Sequence, residues 1–204
     1  MFNQKKYFLK LGQISEGFVK SKDYKKAVDL LFECWRGRGT VFTMGCGGSA
    51  ATATHFAADL AKSTIVPGKK RLKTVSLTDN TPLVSAWIND SGWGSVFAEQ
   101  LEGWLTRKDV LIGFSVHGGS GEGEAGPWSQ NLVAAMNLAK KRKAKIIGFS
   151  GFDGGAMKQL SDVCLIVQIS EEPYATPLIE GFHSILSHAI TFELKSRIEK
   201  FSDK

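Results

Sequence analysis

Residues 40–62 read TVFTMGCGGSAATATHFAADLAK, and this stretch confines the chain to few folds. A short apolar run, Val41, Phe42 and Met44, leads into a tight Gly-Cys-Gly-Gly-Ser turn at residues 45–49. An alanine-rich segment follows, and that composition reads as helix. Strand, glycine turn and helix start is how an α/β protein builds an anion site. Glycine lets the backbone approach a ligand, and the helix N-terminus presents unpaired N–H groups and positive dipole. Gly48 and Ser49 stand at that point, with Ser49 placed to cap the helix and to donate a hydroxyl to a phosphate. His55 and Asp59, four residues apart, point from one helix face. Read alone, the turn is either a phosphate cradle or an ordinary helix start, and the pair is either two side chains at the surface or a ligand set. No lysine follows the last glycine, and no dinucleotide fingerprint is present, so the turn is not a standard nucleotide loop.

The rest of the chain repeats the same alternation. Residues 2–36 read as two amphipathic helices, with Phe8, Leu11, Ile14 and Phe18 on one stripe and Ala27, Val28, Leu31, Phe32 and Trp35 on another. Ser21 is a plain capping residue between them. After the first strand come strands expected at 71–77, 109–114, 145–149 and 163–169. Helices are expected at 82–89, 95–106, 129–143 and 178–201, with Ser129 as the cap of the third. The glycine-rich loop at 115–127 follows an apolar strand of the buried parallel kind. The expected fold is α/β: a three-layer α-β-α sandwich with a five-stranded parallel sheet and an N-terminal helical hairpin. One domain is expected over residues 1–204, with the hairpin at 1–38 and the α/β core at 39–204.

Composition excludes other classes. At 204 residues with 43% hydrophobic content, the chain can bury a sizeable core and is not disordered. The net charge of +6 is spread out, and its short basic runs lack interleaved aromatics, so nucleic acid is not an expected partner. Cys34, Cys46 and Cys164 show no CxxC spacing, which argues against a disulfide framework or a zinc knuckle. No leader and no membrane-length apolar run is visible, so the expectation is a cytoplasmic protein with no membrane partner.

Four segments together resemble a known family. They are GCGGSAATATHFAADL, the Asn89-Asp90 pair followed by VFAEQLE, the loop Ser115-Val116-His117-Gly118, and FSGFDGGAMKQLSDVCLIV. The chain resembles the sugar isomerase (SIS) domain family over nearly its whole length, and within it the phosphoheptose isomerases. That resemblance implies conversion of D-sedoheptulose 7-phosphate to D-glycero-D-manno-heptose 7-phosphate, the first step of heptose synthesis for surface lipopolysaccharide. It also implies a homotetramer with active sites shared between subunits. Its phosphate-binding serines correspond here to Ser49, to Ser115, and to Ser120 or Ser129, with Val116, Asn89 and Asp90 also at the substrate. His117 stands where the family has a second loop serine.

The family's base, a glutamate, is Asp59 in this sequence, and its acid is His188. A carboxylate and a histidine suit ketose–aldose exchange, which moves a proton between adjacent carbons through an enediol. The resemblance further implies zinc held by His55, Asp59, Glu180 and His188, with Glu180 at the family's glutamine position. On a regular helix eight residues rise about 12 Å. Glu180 and His188 can therefore share one metal only if Glu180 lies at or before the helix start, near Pro177. His183 reads as a packing residue. The other reading left open is a non-catalytic SIS scaffold that binds the replication initiator protein.

Overall fold

The protein is described by a computed structural model covering residues 2–119 and 129–202. The element order is α1 (Gln4–Phe18), α2 (Lys22–Arg36), β1 (Thr40–Gly45), α3 (Gly48–Lys62), β2 (Lys73–Ser76), α4 (Thr81–Ser91) and α5 (Val96–Leu101). There follow β3 (Val110–Phe114), α6 (Gln130–Arg142), β4 (Lys145–Gly151), α7 (Gly155–Leu160), β5 (Val163–Val167) and α8 (Ala175–Lys200). The five strands form one parallel sheet in the order β2-β1-β3-β4-β5.

Alternation along the strands divides the core into two layers. Val41, Val110, Ile112, Phe114, Ile147 and Phe149 pack under α2, α3 and α8, against Leu31, Phe56, Leu60, Leu186 and Ile190. Their neighbours Phe42, Met44, Leu111 and Ile146 face the other way and pack with Phe97, Leu132, Met136 and Met157. Successive strand side chains point to opposite faces, so a sheet buried on both sides needs apolar residues at nearly every position. Helix α1 joins through Ile14, which packs with Leu178, Ile179 and Phe182 at the start of α8. Among the described residues no helix is long and apolar enough to cross a membrane.

Several boundaries differ from expectation. Ser21 caps α2 by accepting from the Tyr24 N–H at 3.2 Å, as its residue type requires. Helix α5 ends at Leu101, well before residue 106, where a Gly103-containing turn interrupts it. Strand β2 is shortened to four residues at the sheet edge, and β5 stops at Val167. Strand β4 runs on to Gly151, and the short helix α7 follows it. Helix α8 begins at Ala175, ahead of Pro177. Proline is tolerated in a first helical turn because its missing N–H has no intrahelical partner there.

The sheet order places a topological switch between β1 and β3. One crossover leaves β1 toward β2 and the next returns past it to β3. Open parallel sheets bind ligands at the carboxyl ends of strands flanking such a switch. Gly45 is in register with Phe114, so the 46–49 turn and Ser115 leave the sheet side by side.

Candidate active site

Two sets of side chains lie along α3, one at the switch and one further down the helix. The first surrounds a cavity of about 220 Å³ at the ends of β1 and β3. Cys46 and Ser49 come from the turn after β1, Ser115, Val116 and His117 from the segment after β3, Ser129 from the residue before α6, and Glu180 from α8. The turn folds tightly because Gly45 has no side chain: a Cβ there would lie 2.4 Å from the Ser49 carbonyl oxygen. Gly47, at φ +58°, then takes the position before the first residue of α3. Ser49 is buried inside the first turn of α3 and makes no capping bond, which corrects its expected capping role. It is among the cavity-lining residues. Ser115 is also buried, and its Oγ accepts from the Gly118 N–H at 3.1 Å.

Ser129 departs from expectation in the same way. It precedes α6, but its backbone is left-handed (φ 56°) and its side chain makes no cap bond. That conformation carries it to the cavity wall. The alternative serine, Ser120, lies outside the described residues. Asn89 and Asp90 end α4, exposed and hydrogen-bonded to each other at 2.8 Å, and neither lines the cavity.

The second set lies on the outer face of α3 and α8. His188 Nδ1 is 3.1 Å from Asp59 Oδ2, and His55 Nε2 is 3.6 Å from the same oxygen. The two imidazoles meet edge to face, with centroids 5.0 Å apart. One ligand atom from each of these three residues lies within 4.8 Å of the others. Ligands around tetrahedral zinc at about 2.0–2.1 Å stand roughly 3.4 Å apart. The observed separations bracket that value, and two nitrogens and a carboxylate oxygen are zinc donors, so the set fits the ion with a fourth position open.

Glu180 is not part of this cluster. Since α8 starts at Ala175, Glu180 sits in its second turn, two helical turns from His188. Its carboxylate lies against the glycine turn instead: a Cβ on Gly48 would be 2.6 Å from Glu180 Oε1.

His183 fills the core between Phe114 and Phe149. Its Nε2–H donates to the Ser150 carbonyl at 3.2 Å, and burial pulls its pKa down to about 4. This agrees with a packing role. The sequence reading missed two contributors. Cys46 lines the cavity, its Sγ accepting from Asn131 Nδ2 at 3.3 Å, and burial pushes its thiol pKa up. Phe152 supports His117, with ring centroids 4.5 Å apart and planes 16° from parallel. Both lay within segments already quoted, Cys46 in the 45–49 turn and Phe152 in FSGFDGGAMKQLSDVCLIV. A larger cavity of about 500 Å³ lies between α1, α2 and the edge strand β5, away from the switch between β1 and β3.

The SIS domain pattern matches residues 6–151. The chain belongs to the SIS domain family. This SIS domain is 51% identical over 161 residues to the lincomycin biosynthesis protein LmbN of Streptomyces lincolnensis, covering 79% of the chain but only 58% of LmbN. It is 37% identical over 166 residues to a phosphoheptose isomerase of Helicobacter pylori strain P12, covering 81% of the chain and 79% of that enzyme. Its structure superposes on phosphoheptose isomerase GmhA of Neisseria gonorrhoeae with a TM-score of 0.78, at 28% identity and 94% coverage of both chains.

Proposed function

We propose that this SIS domain is a sugar-phosphate ketose–aldose isomerase that interconverts D-sedoheptulose 7-phosphate and D-glycero-D-manno-heptose 7-phosphate. The observation that carries the reading is the Asp59–His188 pair, in which α8 meets the helix α3 that opens the serine-lined cavity. The phosphate seats at the start of α3, on Ser49, Ser115 and the free N–H groups of the first turn. His55 lies about 9 Å and Asp59 about 15 Å further along the axis, at 1.5 Å per residue. A seven-carbon chain spans eight bonds from phosphorus to its first carbon, about 10 Å when extended at roughly 1.2 Å per bond. The extended chain therefore reaches the level of His55, and the Asp59 side chain, which tilts back toward the N-terminus of α3, faces its reacting carbons.

The chemistry then divides between two residues. Asp59 accepts the proton from the carbon beside the ketone, and His188 protonates the carbonyl oxygen, giving the enediol. Returning the proton to the former carbonyl carbon, with loss of the other hydroxyl proton, yields the aldose. His188 orients the Asp59 carboxylate through its Nδ1, 3.1 Å from Oδ2, and His55 Nε2 lies 3.6 Å from the same oxygen. Zinc belongs to the proposal, held by His55, Asp59 and His188, and when bound would supply Lewis-acid polarisation of the sugar carbonyl.

Assembly as a homotetramer with shared active sites is the matching quaternary proposal. Ile185 and Phe192, exposed on α8 to either side of His188, offer an apolar face to a second copy. In this reading the product serves heptose supply for surface lipopolysaccharide. The relatives lend no support to a scaffold that binds the replication initiator protein.

The deciding test is incubation of the purified protein with sedoheptulose 7-phosphate, with and without zinc, while following the aldose. Turnover in either condition supports the reading, and none in both overturns it.

A further inference from the structure

The cavity holds two polar groups that a phosphate alone does not explain. Glu180 is a carboxylate, which when ionised only accepts hydrogen bonds. Facing a phosphate dianion it would only repel. Yet the fold makes room for it, since Gly48 leaves open the space its carboxylate occupies. On the cavity wall, His117 lies flat on Phe152, with its Nδ1 buried and without a partner among the described residues. A buried nitrogen without a partner costs stability and asks for one on binding.

The geometry points to Glu180 and His117 as a specificity pair that reads the hydroxyl on the carbon next to the phosphoester carbon. This inference rests on the phosphate seat proposed above. Glu180 Oε1 would lie 2.6 Å from a Cβ on Gly48, at the start of α3 where the phosphate is seated, so its carboxylate faces the phosphate and the first carbons beyond it. The first hydrogen-bond donor along an open-chain sugar phosphate is that hydroxyl. Glu180 accepts its proton, and His117 satisfies its buried nitrogen on the phosphate or on the same hydroxyl oxygen. The preferred ligand class is thus a terminal monophosphate of a polyhydroxy chain, hydroxylated beside the ester carbon. A phosphate ester lacking that hydroxyl leaves the carboxylate facing the phosphate with nothing between them.

The test compares three probes by calorimetry on the intact chain: inorganic phosphate, glycerol 3-phosphate, and 3-hydroxypropyl phosphate, which lacks only the hydroxyl in question. Wild type is expected to favour glycerol 3-phosphate over 3-hydroxypropyl phosphate about tenfold or more, as befits a hydrogen bond to a charged acceptor. Glu180→Ala is expected to abolish that preference, and Glu180→Gln to bind inorganic phosphate more tightly than wild type because the like charge is gone. His117→Ala is expected to weaken glycerol 3-phosphate while the Glu180-dependent preference shrinks. A merely structural Glu180 would weaken all three probes together. Equal binding of the two esters by wild type, or a preference that survives in Glu180→Ala, overturns the pair while leaving the phosphate seat intact. Failure of all three probes to bind wild type overturns both.

Discussion

Asp59 Oδ2 lies 3.1 Å from His188 Nδ1, joining a residue of the first core helix to one of the last. The contact exists because α8 packs on α3 over Leu60, Leu186 and Ile190. The close approach of His188 holds the short Asp59 carboxylate in place. Asp59→Asn is expected to lower kcat by about 10²- to 10⁴-fold, the usual worth of a positioned general base. His188→Ala should do the same, with inorganic phosphate affinity retained in both. Full activity in Asp59→Asn would move the base elsewhere.

Metal binding is expected to need all three donors. Zinc at a hundredfold excess over its dissociation constant should stabilise the fold by about 2.7 kcal/mol. For a chain of this size that is a rise in Tm of roughly 5–10 °C. His55→Ala should remove most of the rise, whereas Glu180→Ala should keep it, because Glu180 stands apart from the cluster. The reverse outcome would place Glu180 at the metal.

Ser49→Ala is expected to raise KM about tenfold to a hundredfold with little change in kcat, since a hydrogen bond to a charged phosphate is removed far from the reacting carbons. The Tm should move little, because the Ser49 side chain caps nothing. A fall in kcat at unchanged KM would contradict the phosphate seat.

His183 links acid pH to stability. Burial holds its folded pKa at about 4, below its unfolded value near 6.5. The unfolded chain therefore binds this proton first. The stabilising effect of the neutral ring is complete above about pH 6.5 and is lost as pH falls toward 4, by about 3 kcal/mol in all. His183→Gln keeps a donor near the Ser150 carbonyl but does not titrate. Urea midpoints of the variant should fall less steeply between pH 6.5 and 4 than those of wild type, and parallel curves would refute this.

Gly118→Ala should destabilise by more than about 1 kcal/mol. Its φ is +75°, and an added Cβ would meet the Gly154 carbonyl oxygen at 2.0 Å, which is backbone that cannot rotate away. Thermal melts read the cost, and weakened phosphate binding should accompany it because Ser115 bonds to the same N–H.

Much of this was legible in the linear chain. Alternating apolar runs and helical stripes announced β1, β3, β4 and α2 close to their observed bounds, because local periodicity and burial agree in a sheet covered on both faces. The 45–49 turn announced itself through glycines that sterics require at 45 and 47. Residue types at 55, 59 and 188 named the cluster once the family resemblance was in hand. Less was legible where a residue's role depends on conformation. The left-handed backbone of Ser129 and the burial of Ser49 inside the first turn left no mark in the residue pattern.

The sequence by itself determined the strand–turn–helix order, the parallel sheet and the kinds of groups available, since these follow from local sterics and the hydrophobic period. Only the tertiary structure decided which groups meet. Helix α8 starts three residues earlier than its apolar pattern suggests, because Pro177 is accommodated in the first turn. That shift, together with the docking of α8 on α3, sends Glu180 to the glycine turn and His188 to Asp59. Contacts between distant residues are set by how apolar faces pack, and no local pattern carries that information.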